Sequence, residues 1–169
     1  KSFNYLPENF ALCLIGRELE GGILKIYEEI IRINNLTNRV KILTSVPYDE
    51  VPSITAYCNL GVAKLGMDKK IPFNDYYLTG ASNKISEYFA FGLPVLMADT
   101  KVNRRFYTKY GCSVFADGNS SESISTAIKG AADDSNGKYQ QLRGCSYKAG
   151  CEIFNYDVQF NKIISVLEN

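Results

Sequence analysis

The sequence predicts an α/β fold: a doubly wound parallel sheet with helices on both faces and a helical C-terminus. Three observations carry that expectation. Short apolar runs of strand length alternate with amphipathic stretches spaced every three or four residues. The apolar runs are continuous rather than alternating, as strands covered on both faces require. Beyond position 120 the strand pattern stops and only helical pattern follows.

The elements follow in order. Residues 10–15 form a continuous apolar run ending at Gly16, a strand. From Glu20 to about Asn34 the pattern turns helical, with Ile23, Ile26, Tyr27, Ile30 and Ile31 on one face. Val40, Ile42 and Leu43 mark a second strand. Pro47 is expected to open a helix reaching about Cys58, because proline suits a first helical turn, and Pro52 to split or shift it. Residues 60–65 read as a third strand and 66–79, of mixed polarity and no period, as a long loop. A helix over 82–91 is stopped by Gly92, and 94–98 is a fourth strand. A basic helix covers 102–110, 113–116 is a fifth strand, and 120–169 holds two or three helices. A Rossmann-like sheet of this kind binds ligands beyond the carboxyl ends of its strands. That rule points to Gly16 with Arg17, Thr44 with Ser45, Leu65 with Gly66, and Asp99 with Thr100.

Composition narrows the chemistry. The chain of 169 residues is one domain on length, and 46% hydrophobic with 22% charged residues supplies one buried core. Nineteen basic residues against eighteen acidic ones give a net charge of +1, so no global field draws nucleic acid, and no nucleic-acid partner is expected. No apolar run approaches the length of a membrane span, and no basic-then-apolar leader is present. Lys1 stands where a start methionine would, which reads as a piece of a longer chain. The five cysteines include no C-x-x-C pair, and Cys13, Cys58 and Cys112 lie in or beside apolar segments; a reducing cytosol fits better than a disulfide framework. Histidine is absent, which removes Ser–His and Cys–His dyads, histidine zinc sites and histidine bases. Any catalysis runs on carboxylates, backbone amides, Lys or Arg; neither a metal nor a cofactor is expected.

The most informative stretch runs from Thr79 to Val95. Small residues (Thr79, Gly80, Ala81, Ser82) precede a short helix, then Gly92-Leu93-Pro94 and a buried strand. Small residues let a backbone approach a ligand closely, and a helix N-terminus presents amides and partial positive charge to a phosphate. Lys84 lies in that first turn, where a cation opposes the helix dipole, a conflict that a bound diphosphate resolves. The plain alternative is a solvated Lys84 behind an ordinary cap at Ser82 or Asn83. Glu87, one turn on, is placed either to accept two ribose hydroxyls or to stand in solvent. Arg17, after the Gly16 turn, either reaches a phosphate or is a surface arginine. No G-x-G-x-x-G follows the first strand, which argues against a dinucleotide-dependent oxidoreductase.

The pattern Asn83-Lys84-x-x-Glu87-Tyr88-x-Ala90-x-Gly92-x-Pro94-Val95 resembles the donor-binding signature of glycosyltransferase family 4, retaining enzymes of the GT-B fold that use nucleotide sugars. The resemblance runs along most of the chain. Phe10 to Gly16 is similar to the strand whose glycine faces the sugar diphosphate. Arg39 to Ser45 is similar to the strand whose end meets the nucleobase, which implies that role for Lys41, Ile42 and Leu43. Tyr57 to Ala63, Tyr110 to Phe115 and Phe154 to Leu167 resemble later segments in the family's order. By position, the resemblance gives Glu87 the ribose, as second glutamate of the E-x7-E motif. It gives Gly16, Arg17, Gly80, Ala81, Ser82, Asn83 and Lys84 the diphosphate and sugar. The first motif glutamate is matched to Gly80, a departure that leaves the catalytic residue unassigned, with Asn74 or Asp75 as possible substitutes.

The resemblance implies that residues 1–169 are a single nucleotide-sugar-binding domain, the C-terminal half of a two-lobed enzyme whose N-terminal acceptor domain is absent. The implied reaction is retaining transfer of a sugar to a glycan, lipid-linked or protein-linked acceptor. The fragment alone is expected to be inactive. The rival readings are a nucleotide-sugar epimerase of the same architecture and a degenerate, non-catalytic nucleotide-sugar-binding module, the latter favoured by Gly80. Lys101, Arg104, Arg105 and Lys109, with Phe106 and Tyr107, either meet an anionic membrane surface or a lipid-linked acceptor, or form a solvated face. The expected location is the cytoplasm, with the inner face of the membrane as a further option.

Overall fold

The computed structural model describes residues 1–17, 21–63 and 82–167. Among them the chain is α/β, with parallel strand pairs joined through helices and a wholly helical C-terminal part. The described residues divide into two compact units, Lys1–Tyr57 and Cys58–Asn169.

In the first unit, β1 (Leu12–Ile15) and β2 (Val40–Leu43) pair in parallel, with Leu12 opposite Val40 and Ile15 opposite Leu43. Helix α1 (Ile23–Ile33) connects them. It starts three residues later than the sequence pattern predicts. Gly22 sits at φ +99°, a left-handed conformation that cannot lie inside a right-handed helix and so fixes Ile23 as the first helical residue. Helix α2 (Val51–Ala56) also differs from expectation. Pro47 belongs to a turn in which its carbonyl accepts from the Glu50 amide at 3.0 Å. Pro52 occupies the first helical turn, where its missing N–H costs no helical hydrogen bond, so it opens the helix rather than splitting it.

Arg39 ties the N-terminal segment to β2. Its guanidinium donates to the carbonyls of Phe10 (3.1 Å), Leu6 (3.2 Å), Pro7 (2.6 Å) and Phe3 (3.4 Å), and lies 4.9 Å from the centre of the Phe3 ring. A planar fork with five N–H donors suits a loop that offers only carbonyls.

In the second unit, β3 (Gly61–Val62), β4 (Val95–Ala98) and β5 (Ser113–Ala116) form a parallel sheet with β4 in the centre. All four residues of β4 are buried, as a strand flanked and covered on both sides demands. Pro94 lies outside the strand. Helix α3 (Asn83–Ala90) precedes β4, and Gly92 at φ +65° turns the chain from one into the other. Helix α4 (Lys101–Tyr107) and a 3-10 turn, Thr108–Tyr110, connect β4 to β5. Three helices follow among the described residues: α5 (Ser121–Ala132), α6 (Lys138–Glu152) and α7 (Tyr156–Leu167).

The core of this unit gathers Ile85 and Phe89 of α3, Val95 and Met97 of β4, Tyr107, Cys112 and Ala149, with Phe154 packed against them. Phe154 is the aromatic hub. Its ring centre lies 5.1 Å from that of Phe89, 5.3 Å from Tyr110 and 6.0 Å from Tyr107. Such ring pairs add about 0.5–1.5 kcal/mol each beyond the area they bury. Burial holds the Cys112 thiol protonated, with its pKa pushed up to about 12, and raises that of the Tyr107 hydroxyl as well. The cysteines at 13, 58, 112, 145 and 151 are free thiols. No helix among the described residues is long and apolar enough to cross a membrane.

Candidate functional site

Helix α3 sorts the predicted residues onto two faces. Ile85 and Phe89 are buried, at 1% and 0% exposure, and fasten the helix to the core. Asn83, Lys84 and Glu87 are exposed, and Ser82 is half-buried. The spacing of three and four residues stacks Asn83, Lys84 and Glu87 on one side of the first two turns.

The N-terminus of α3 has no side-chain cap. Ser82 takes the extended cap conformation, but its hydroxyl makes no cap hydrogen bond; its carbonyl accepts from the amides of Ile85 (3.0 Å) and Ser86 (3.3 Å). The next two helices differ. The Thr100 hydroxyl accepts the Asn103 amide at 3.0 Å, and the Ser120 hydroxyl accepts the Ser123 amide at 3.1 Å. The plain cap expected at Ser82 is therefore present in backbone form only. Lys84 is a cation in the first turn of a helix that carries no acidic residue there.

Glu87 has a half-buried neighbour in Tyr88, whose hydroxyl pKa is raised, first by burial and then by the charges of Cys58 and Glu87. The Tyr88 hydroxyl therefore stays protonated through neutral pH. Gly80 and Ala81, together with Thr79, Asn74, Asp75, Leu65 and Gly66, lie outside the described residues. In the motif itself, seven intervening residues place the first glutamate eight positions before Glu87, at Thr79 rather than Gly80. Neither residue is a carboxylate, so the departure from the family pattern stands at either position.

Beyond β4, Asp99 is engaged. It accepts two hydrogen bonds from Arg104, at 2.5 and 2.7 Å, and these hold its carboxyl below the ordinary range. The pairing takes Arg104 out of the basic surface, and its guanidinium also lies 5.0 Å from the centre of the Phe115 ring. Lys109 rests over Tyr110, 4.8 Å from the ring centre. Lys101 and Arg105 are exposed, and Phe106 is 37% exposed beside them. An open cavity of about 470 Å³ lies beyond β5, lined by Phe115, Ser120, Glu122, Ser123, Thr126 and Ala127. None of the predicted site residues lines it.

In the first unit, the Gly16 amide donates to the Leu43 carbonyl at 3.2 Å, so the ends of β1 and β2 are joined side by side. Arg17 is exposed just past this junction, and a Cβ on Gly16 would meet nothing within 4 Å. Ser45, two residues beyond β2, is held at φ +59°, an uncommon conformation for a residue with a side chain. Lys41 and Leu43 fall on one face of β2 and Ile42 on the other, because strand side chains alternate. These three thus do not present their side chains to one ligand. No group of three or more metal-ligating side chains occurs among the described residues.

Sequence reasoning missed two glycines that face α3. A Cβ on Gly61 would lie 2.4–2.8 Å from the Tyr88 ring, and one on Gly150 would lie 2.7 Å from the Phe89 carbonyl carbon and oxygen. The available signals were an isolated glycine in a strand pattern and another inside a helix, both of which mark close approach.

No protein-family model matches the sequence. No curated protein matches it either. Solved structures do. The chain is similar to HepE of Anabaena in complex with UDP, with TM-score 0.78 and 19% identity over 99% of this chain and 43% of that one. It matches the same protein in complex with UDP-glucose at TM-score 0.76 and 19% identity, with the same coverage. It is also similar to WaaG, a glycosyltransferase involved in lipopolysaccharide biosynthesis, at TM-score 0.66 and 14% identity over 89% of this chain and 37% of that one. The chain thus spans less than half the length of the structures it matches, and over that span its fold is theirs, the α/β fold of one half of a GT-B glycosyltransferase.

Proposed function

We propose that the chain is the donor-binding, C-terminal half of a retaining glycosyltransferase, which moves a hexose from a nucleoside-diphosphate sugar to a glycan, lipid-linked or protein-linked acceptor. The observation that carries this reading is the exposed face of α3. Asn83, Lys84 and Glu87 share one side of a helix without a side-chain cap, in a fold that HepE presents with UDP-glucose bound. In this reading Glu87 accepts the ribose hydroxyls. The first amides of α3, with Gly80, Ala81, Ser82, Asn83 and Lys84, hold the diphosphate and offset the charge that grows on it as the sugar leaves. In the first unit, Gly16 and Arg17 form a separate anion-binding turn. No metal or cofactor takes part.

The acceptor comes from a further lobe, as the coverage of less than half of HepE supports. The 169-residue chain alone then binds donor without transferring sugar. Robust transfer to a natural acceptor by this chain alone, in purified form, would overturn that part of the reading. Lys101, Arg105 and Lys109 supply the basic surface for peripheral contact with a membrane or a lipid-linked acceptor, at the cytoplasmic face.

The missing first motif glutamate favours one second reading, a non-catalytic nucleotide-sugar-binding module. Product analysis of the full-length protein with a bound donor separates the two. Transferred sugar supports the enzyme, and tight donor binding with neither transfer nor hydrolysis supports the module.

A further inference from the structure

We infer that Gly150 and Gly61 are positioning residues for the donor site: by having no side chain, they set where α3 sits and therefore where Lys84 and Glu87 stand. This inference rests on the donor-binding reading of α3.

Both glycines pack against α3, Gly150 on its backbone and Gly61 on the Tyr88 ring. Gly150 is buried on α6, one residue after the core residue Ala149, and α6 packs on α3. A Cβ there would lie 2.7 Å from the carbonyl carbon and oxygen of Phe89 and 2.9 Å from the Ala90 amide nitrogen. These are backbone atoms, so no rotamer change relieves the contact. Restoring a normal separation requires the helix axis to move by roughly 1 Å, since packed carbon atoms stand about 3.5–4.0 Å apart. Gly61, on β3, faces the Tyr88 ring, where a Cβ would lie 2.4 Å from Cδ2 and 2.6 Å from Cγ. Here the obstacle is a side chain, which can be trimmed.

Glu87 and Lys84 lie within one and two turns of Phe89 on a helix of eight residues. A short helix moves as a unit, so displacement at Phe89 carries both side chains with it. Displacements of about 1 Å are enough to cost on the order of 100-fold where groups must meet a ligand in fixed geometry.

The test uses the full-length protein and calorimetric titration with whichever of UDP, GDP and ADP the wild type binds most tightly. Gly144, also on α6, has nothing within 4 Å of its Cβ position. Gly144→Ala therefore shares the helix-propensity gain of Gly150→Ala without its clash. Gly144→Ala is expected to bind as wild type does, and Gly150→Ala ten- to a hundredfold more weakly, taking about 100-fold as the cost of a 1 Å displacement. In a Glu87→Ala background the Gly150→Ala loss should be smaller than in the wild-type background, because one of the two displaced contacts is already removed. Full affinity in Gly150→Ala, or an equal loss in both backgrounds, overturns the inference while leaving the donor site intact. Should Gly150→Ala not fold, Gly61→Ala decides. Its weakened binding should return when Tyr88→Leu makes room, and a loss that Tyr88→Leu does not repair overturns the inference. A wild type that binds none of the three nucleotides overturns the donor-site reading and this inference with it.

Discussion

At the scale of single residues, Glu87 and Arg39 show how differently two charged side chains are used. Glu87 is exposed on a helix whose other face is committed to the core, so its charge is free for a ligand. Glu87→Ala in the full-length protein is expected to weaken nucleoside diphosphate binding by about 1.5–3 kcal/mol, the range for hydrogen bonds to a charged group, and Glu87→Gln by less. Unchanged affinity in Glu87→Ala returns it to the surface. Arg39 serves folding. It reaches four carbonyls of a segment that has no helix or strand of its own beyond the turn at Ser2–Tyr5. Arg39→Ala is expected to cost about 1.5–3 kcal/mol of stability in denaturant unfolding, and Arg39→Lys to recover little, because an ammonium cannot span the same fork. An Arg39→Lys variant as stable as wild type would show that the charge matters and the geometry does not.

Cys112 gives a third residue-scale expectation. Burial raises its thiol pKa to about 12, so it stays protonated and inert at pH 8, whereas Cys151 is exposed. An alkylating reagent at pH 8 should label Cys151 in the folded protein and Cys112 only after denaturation. The sign for stability follows: the folded state holds this proton more tightly than the unfolded chain, so the contribution is complete below the unfolded pKa and is lost as pH rises through the folded value near 12. Labelling of Cys112 at the rate of Cys151 would contradict its place in the core.

At the scale of elements, α3 is where sequence and structure meet most closely. Its length, its stop at Gly92 and its polar face were legible, because helical spacing separates Ile85 and Phe89 from Lys84 and Glu87 without reference to anything distant. What it packs against was not legible. Gly61 lies 26 residues before Glu87 and Gly150 lies 63 after it, and no local pattern joins them to the helix. The misplaced starts of α1 and α2 have a local cause: a backbone turn at Gly22 and a proline tolerated in a first turn are conformational facts that apolar spacing does not record. The prediction at this scale concerns Lys84. Opposed by the dipole and uncapped, it should cost the free protein about 0.3–1 kcal/mol, so Lys84→Ala should be as stable as wild type or slightly more so. With ligand the sign reverses, and Lys84→Ala should weaken nucleoside diphosphate binding while barely changing nucleoside binding. Equal losses for both ligands, or no loss for either, would move the phosphate site away from α3, most plainly to Gly16 and Arg17.

At the scale of the whole molecule, the strand–helix alternation predicted the fold class, and the likeness to HepE at TM-score 0.78 with 19% identity shows how much of a backbone survives where little sequence does. The alternation could do this because parallel strands need helical crossovers, and both leave periodic marks in the sequence. It could not reveal the sugar, the base or the acceptor, which depend on a few side chains that no period marks. The central claim is that the protein binds a nucleoside-diphosphate sugar. The most direct test is a thermal-shift screen of the full-length protein against UDP-, GDP- and ADP-sugars. At a free ligand concentration near 100 times Kd, binding to the folded state alone adds about 2.7 kcal/mol, which raises Tm by several degrees. The account predicts such a rise with at least one of these donors, saturating with concentration and diminished in Glu87→Ala; no rise with any of them at millimolar concentration would contradict it.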